Sequence, residues 1–423
     1  MDIRVLPPAP TALLGAIAAA PHRLLFFIGA TNVLAAMTWW ALWLAGAALP
    51  TPTLPAGWVH GLLMQYQVLP AFIFGFLLTV FPRWMGLESA TRWHYLPVAF
   101  GILSGQALLL ASLSTGSAML MHLGAINTLA GWGAGALILL AWLRQDRFRT
   151  WHANACFAAI TLGFIGWLCF IAWLHGGDIR LVMAANRIGT FGLLLPIYLT
   201  VAHRMFPFFA RNVVLGYQDW RPLPVLAAMF ALSLAHLLLE LSNALAWLWL
   251  ADLPLAAVAA YTLYRWWPRR AAPALLTVLF VGFAWMPIAM LLYATQSLWL
   301  LLGDAWILGR GPLHALSLGM FGSLLVAMVT RVTQGHSGRP LELGSVALFA
   351  FVGMQVLTVF RIVVELLPQP LPWLQAAAFG WLAVFLPWVL RSLWIVATPR
   401  ADEGQDARVP RRPGRPGAAG KPG

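Results

Sequence analysis

Residues 273–296 read PALLTVLFVGFAWMPIAMLLYATQ, twenty-four consecutive positions without one charged side chain. A helix rises about 1.5 Å per residue, so this stretch can cross a hydrocarbon core of roughly 30 Å. It is not alone. Working outward in both directions, comparable apolar runs cover 24–48, 57–80, 95–115, 119–143, 152–174, 181–202, 222–242, 244–263, 312–331, 342–366 and 372–396. The pattern predicts an all-α integral membrane protein, a polytopic bundle of about twelve transmembrane helices.

Composition agrees. The chain has 423 residues, 61% hydrophobic and only 9% charged. Soluble chains carry roughly 25% charged residues, and no soluble core could hide this much apolar surface. A bilayer solvates it. The 23 Trp suit the same setting, because Trp gathers at membrane interfaces. Cys156 and Cys169 lie in one apolar run, form no CxxC and suggest no disulfide framework. They read as small buried apolar residues.

The gaps between runs test the count. The N-terminal segment carries Arg4 and Arg23, and the second gap Arg83 and Arg92. The fourth has Arg144, Arg147 and Arg149, and the sixth Arg204, Arg211 and Arg221. The eighth has Arg265, Arg269 and Arg270, and the tenth Arg339 with Arg331 just before it. Arg180 and Arg310 are the only basic residues of the odd gaps. A missed span would break this alternation from that point on. Under the positive-inside rule it predicts an even number of spans, with both termini cytoplasmic. The organisation expected is a cytoplasmic segment 1–23, a transmembrane domain 24–398 and a basic, Pro- and Gly-rich disordered cytoplasmic tail 399–423. The +13 net charge reads as an orientation signal and not as nucleic-acid binding, because no basic run with interleaved aromatics occurs outside the tail.

Ionisable residues inside a bilayer are costly and usually functional. His60 opens the second span and is followed at helical spacing by Met64 and Gln67, a face that could hold haem or copper. His314 opens the tenth span at the same expected depth. His236 and Glu240 lie four apart in the seventh span, where the carboxylate could orient a ligand or simply pair. Arg361 and Glu365 form another four-residue pair in the eleventh, and Asn186 and Arg187 lie in the sixth. His203 and His336 sit at cytoplasmic ends. No His-His dipeptide occurs, and no span has two histidines at the spacing that stacks two haems across a membrane. GxGxxG, Walker A and HExxH are also absent.

Three stretches resemble the NnrS family of bacterial membrane proteins. Gly75-Phe76-Leu77-Leu78-Thr79-Val80-Phe81-Pro82-Arg83-Trp84-Met85-Gly86 is similar to the family's GFLLTAVPNWTG. Arg204-Met205-Phe206-Pro207-Phe208-Phe209-Ala210-Arg211-Asn212 is similar to its R-x-x-P-F-F-T-R-N. The stretch from His314-Ala315-Leu316-Ser317-Leu318-Gly319 to Thr330-Arg331 and on to Gly335-His336-Ser337-Gly338-Arg339 is similar to HALTVGAMG…TRxxLGHTGR. Pro21 to Phe27 echoes an N-terminal element. The resemblance implies about twelve spans, a bacterial cytoplasmic membrane, haem and copper, and a role in the response to nitric oxide and nitrosative stress, with a small gas as ligand. By position, His60, Met64, His314 and His336 match family motif residues.

The sequence also departs from the pattern. The family's W-H-x-H-E-M stands here as Val59-His60-Gly61-Leu62-Leu63-Met64, so its second His and its Glu are leucines. A later H-x-G-Y-A-W stands as Phe280-Val281-Gly282-Phe283-Ala284-Trp285, without its His. Leu and Phe cannot ligate a metal, so at least one family metal position is absent or rebuilt.

The expected function is a haem-binding membrane protein with His60 and His314 as ligands. His203 and His336 read either as a second, cytoplasmic metal site for copper or as solvated loop histidines. The alternatives are a cofactor-free transporter or channel using Arg187 and Arg361, and a non-catalytic scaffold or assembly factor. No residue marks a proton donor for catalysis, and no enzyme class or redox partner is assigned.

Overall fold

In hydrocarbon every backbone N–H and C=O needs an internal partner, and a run of twenty apolar residues meets that demand as a helix. The computed structural model describes residues 10–50, 53–303 and 305–401. Among them there is no strand. Twelve helices are long and apolar enough to cross a membrane: Pro21–Leu44, Ala56–Met85, Arg92–Thr115, Ala118–Gln145, Trp151–Leu174, Arg180–Val213, Leu223–Leu241, Leu245–Trp266, Ala274–Gly303, Gly311–His336, Ser345–Val364 and Leu371–Ala397. They are spans one to twelve below. Each coincides with one expected run, and the protein is a multi-pass helical membrane protein. Spans two, six, nine and ten outrun their apolar stretches by several residues. The terminal segments of the expected organisation lie partly or mostly outside the described residues. Within the first, Pro10–Ile17 forms a short helix, and Pro21 already opens span one.

The loops fall alternately at an Arg-rich and an Arg-poor face. Between them the spans are unequally buried. Spans two, six and ten bury 78, 72 and 72% of their most apolar windows, against 28 to 61% for the other nine. These three form the centre of the bundle. They also share an irregularity that no apolar run announces. Each is interrupted by π-helix, at Met64–Val68, Ile188–Leu194 and Ala315–Gly322. Such segments are rare and gather at functional sites. In span two, Pro70 follows the segment and cannot donate. The nearby carbonyl of Tyr66 instead accepts the Trp132 indole N–H at 3.1 Å.

The π segment of span two is the polar hub of the bundle. Gln65 donates to Thr190 Oγ1 of span six at 2.9 Å, and Tyr66 O–H donates to the Ala185 carbonyl at 2.6 Å. Gln67 donates to Thr128 Oγ1 of span four at 2.7 Å. Gln67 is therefore committed to span four, where an uninterrupted α-helix would have kept it on the His60 face.

Small residues set the tightest crossing. Gly101 of span three and Gly131 of span four meet backbone to backbone, so that a Cβ on Gly131 would lie 2.9 Å from the Gly101 Cα. Close approach of this kind is how helices associate where lipid is as apolar as the side chains. Spans one, two, six and ten line an open apolar pocket of about 70 Å³, walled by Phe26, Phe72, Tyr198, Leu324 and Met328 among others.

Candidate functional site

The strongest polar convergence lies just under the Arg-poor face, at the outer turns of spans two and ten. His60 sits in the α-helical first turns of span two, Ala56–Leu63, immediately before the π segment. Gly57, His60, Gly61 and Met64 share one face at helical spacing. Both glycines leave room for a polar side chain of another segment. A Cβ on Gly57 would collide with the Arg310 guanidinium, and one on Gly61 with the Asn186 amide oxygen. Two polar side chains from spans six and ten thus press directly on the helix either side of His60.

The His60 ring stacks on Trp40 of span one, with centroids 4.7 Å apart and planes at 14°. Its Nδ1 is buried and has no hydrogen-bond partner. His314 occupies the last position of the short helix Gly311–His314, again immediately before a π segment. Its Nδ1 lies 2.8 Å from the Arg310 carbonyl. That contact requires the proton on Nδ1 and leaves Nε2 as a bare lone pair, the tautomer found in metal-ligating histidines. His60, His314, Arg310 and Arg361 are close enough to act on one another electrostatically. The two histidines expected to form a site are therefore within electrostatic reach of one another.

Arg361 donates to Glu365 Oε1 at 2.5 Å. The other carboxylate oxygen of Glu365 lies against Gly309, whose φ of 49° suits glycine. Arg187 donates to the Glu240 carbonyl at 2.6 Å. Both arginines that an anion transporter would use already have protein partners.

His236 and Glu240 stand 3.6 Å apart, but the nearer partner of His236 is Asp252 of span eight, at 2.6 Å from Nδ1. Sequence reading missed Asp252. It is the only acidic residue of the apolar run 244–263, and that isolation was the available signal.

At the Arg-rich face the structure corrects one expected pairing. His203 and His336 each lie against a different histidine. His152 Nε2 is 3.0 Å from His203 Nδ1, and His203 Nε2 is 3.2 Å from the Pro222 carbonyl. Both nitrogens of His203 are thus engaged, and neither is free for a metal. His336 packs against His22, with centroids 4.4 Å apart and planes tilted by 32°, and His22 Nδ1 is 3.4 Å from Thr79 Oγ1. Neither His22 nor His152 stood out in the sequence, since each opens a span where an interfacial His is ordinary. Among the described residues no three His, Cys, Asp or Glu side chains converge as a metal site.

The positions where family histidines are missing fall into place. Leu62 and Leu63 help to line an apolar cavity of about 160 Å³ bounded by spans two to five. Phe280 is fully buried in an aromatic cluster with Phe206 and Trp267 near the Arg-rich face.

No curated protein and no solved structure matches the chain. A family profile described as NnrS protein matches residues 16–400. With nearly the whole transmembrane region inside that match, the chain belongs to the NnrS family.

Proposed function

We propose that the protein is a haem-binding membrane protein acting in the response to nitric oxide and nitrosative stress, with His60 and His314 as the haem ligands. One observation carries the reading. Near the Arg-poor ends of spans ten and two, His314 keeps Nε2 bare through its Nδ1 contact with Arg310, and His60 has a buried Nδ1 with no partner. An unpartnered polar atom in such a place costs on the order of 1–3 kcal/mol, and a ligand bond removes that cost. The residues present fit the group. Met64 offers a sulfur on the same face, Trp40 a flat wall, and Arg310 a cation suited to propionate carboxylates. Bound haem iron would supply redox chemistry and, on displacement of one imidazole, a coordination site for a small gas such as nitric oxide. The chain's own part is to fix the imidazole tautomers, hold the propionates and exclude water. The lipid bilayer of a bacterial cytoplasmic membrane is the setting, with the Arg-rich face inward.

Copper, the second metal that family membership suggests, fits less well. His203 does not fit, because both of its ring nitrogens are taken. His336 with its neighbour His22 is the remaining pair at that face. Metal analysis of His336→Ala tests it: loss of copper relative to the unaltered protein supports the assignment, and unchanged copper removes it.

The main test is an absorption spectrum of the purified protein, oxidised and reduced, with haem quantified. A Soret band that His60→Ala and His314→Ala each abolish is the expected result. No Soret band after haem supplementation overturns the reading.

A further inference from the structure

The geometry points to a proton relay at His236, Glu240 and Asp252, loaded from the aqueous phase at the Arg-poor face. Glu240 lies in the last turn of span seven and is partly exposed there. His236 is one turn deeper and fully buried. Asp252, three residues into the α-helix of span eight, is fully buried as well. The imidazole lies between the two carboxylates. Its Nδ1 is 2.6 Å from Asp252 Oδ1, and its Nε2 is 3.6 Å from Glu240 Oε1. That second gap is too long for a hydrogen bond, so Nε2 is buried without a partner, as is Asp252 Oδ2.

Charge counting shows what the site needs. Two carboxylates in hydrocarbon require compensation. The groups facing His236 from the packed spans are Glu240 on its own helix, Asp252 on span eight, Arg187 on span six and Tyr293 on span nine. Arg187 supplies one positive charge through its contact with the Glu240 carbonyl at 2.6 Å. With one proton held on His236, the four ionic charges sum to zero. The ring's surroundings suit a cation. Phe191, from the π segment of span six, stacks on it with centroids 3.6 Å apart, and Tyr293 meets it edge-on at 5.0 Å. An aromatic face stabilises a positive charge held against it.

The transfer balances. In the resting imidazolium both ring nitrogens carry a proton. A small rotation of the Glu240 carboxylate closes the gap to Nε2, the Nε2–H bond breaks as an O–H bond forms on Glu240, and Glu240 releases that proton to water. The ring is left neutral with its proton on Nδ1. Glu240 then takes a proton from hydronium, its O–H bond breaks as the Nε2–H bond forms again, and the Nδ1–H bond breaks as an O–H bond forms on Asp252 Oδ1. The ring is neutral with its tautomer exchanged, and Asp252 holds the proton. Span six links this relay to the His60 region, since Arg187 touches Glu240 while its neighbour Asn186 lies against Gly61.

The test uses full-length protein labelled with ¹⁵N-histidine in lipid nanodiscs. At neutral pH the unaltered protein should show an imidazolium signal that His236→Gln removes. Asp252→Asn should convert that signal to neutral imidazole. Glu240→Gln should keep the imidazolium but slow its N–H exchange with solvent by at least about tenfold, since a carboxamide does not carry protons. Since His236→Gln strands the buried Asp252 carboxylate, the latter two variants bear the weight, with folding checked by size-exclusion chromatography. A neutral His236 in the folded unaltered protein overturns the relay. So does unchanged exchange in Glu240→Gln. Neither result depends on haem, so the relay and the haem reading fail separately.

Discussion

The ten histidines divide equally between the two faces of the membrane, and the two sets are built differently. At the Arg-rich face imidazoles satisfy local structure and one another. His94 closes the capping box of span three with Thr91. His152 and His203 form a chain that ends on the Pro222 carbonyl. At the Arg-poor face His60 Nδ1 and His236 Nε2 are buried with no partner at all. The protein could have satisfied these nitrogens as it did those at the other end. That contrast is what motivates the haem and proton-relay proposals at the Arg-poor end.

The contrast can be broken in several ways. The largest effect is expected from His60→Ala or His314→Ala. Each should lower bound haem by more than about tenfold, above the loss typical of an outer-shell partner, as read from the Soret band. His203→Ala should leave haem content unchanged and destabilise the protein by about 1–3 kcal/mol, because buried His152 loses its partner. The readout is a lower thermal midpoint followed by tryptophan fluorescence. If haem fell instead, the division between the faces would be wrong. Arg361→Gln should cost about 1–2 kcal/mol. It strands the Glu365 carboxylate, but Glu365 is partly exposed and solvent moderates the penalty. The smallest effect is expected from His94→Ala, which removes half of a capping box and should cost about 1 kcal/mol or less with no change in haem.

The fold was largely legible in the sequence because apolar length and Arg alternation are one-dimensional signals. All twelve spans lie where those signals put them. His60 and His314 are singled out by expected depth, and they lie within electrostatic reach of each other. Lateral neighbours were not legible, because the order of helices around a bundle leaves no trace in hydropathy. That is why His236 was matched with Glu240 on its own helix, while its closer partner Asp252 on the next span went unnoticed. The same blindness joined His203 to His336, two residues at one face that each lie against another histidine. The shared face of His60 and Gln67 failed for a local reason: the helix between them is not α throughout.

That last irregularity bears on which changes the protein can tolerate. A π turn carries a surplus residue, so deleting one position from Met64–Val68, Ile188–Leu194 or Ala315–Gly322 would let the span close into ordinary α-helix. Everything beyond the deletion would then turn by about 100° relative to everything before it. In span six such a turn would swing His203 away from His152 while Arg187 stayed in place; in span ten it would part His336 from His22 and leave His314 where it is. Substitutions in these segments alter one contact at a time, whereas a change of length throws the two ends of a span out of phase. The three central helices are thus more sensitive to how many residues they contain than to which ones.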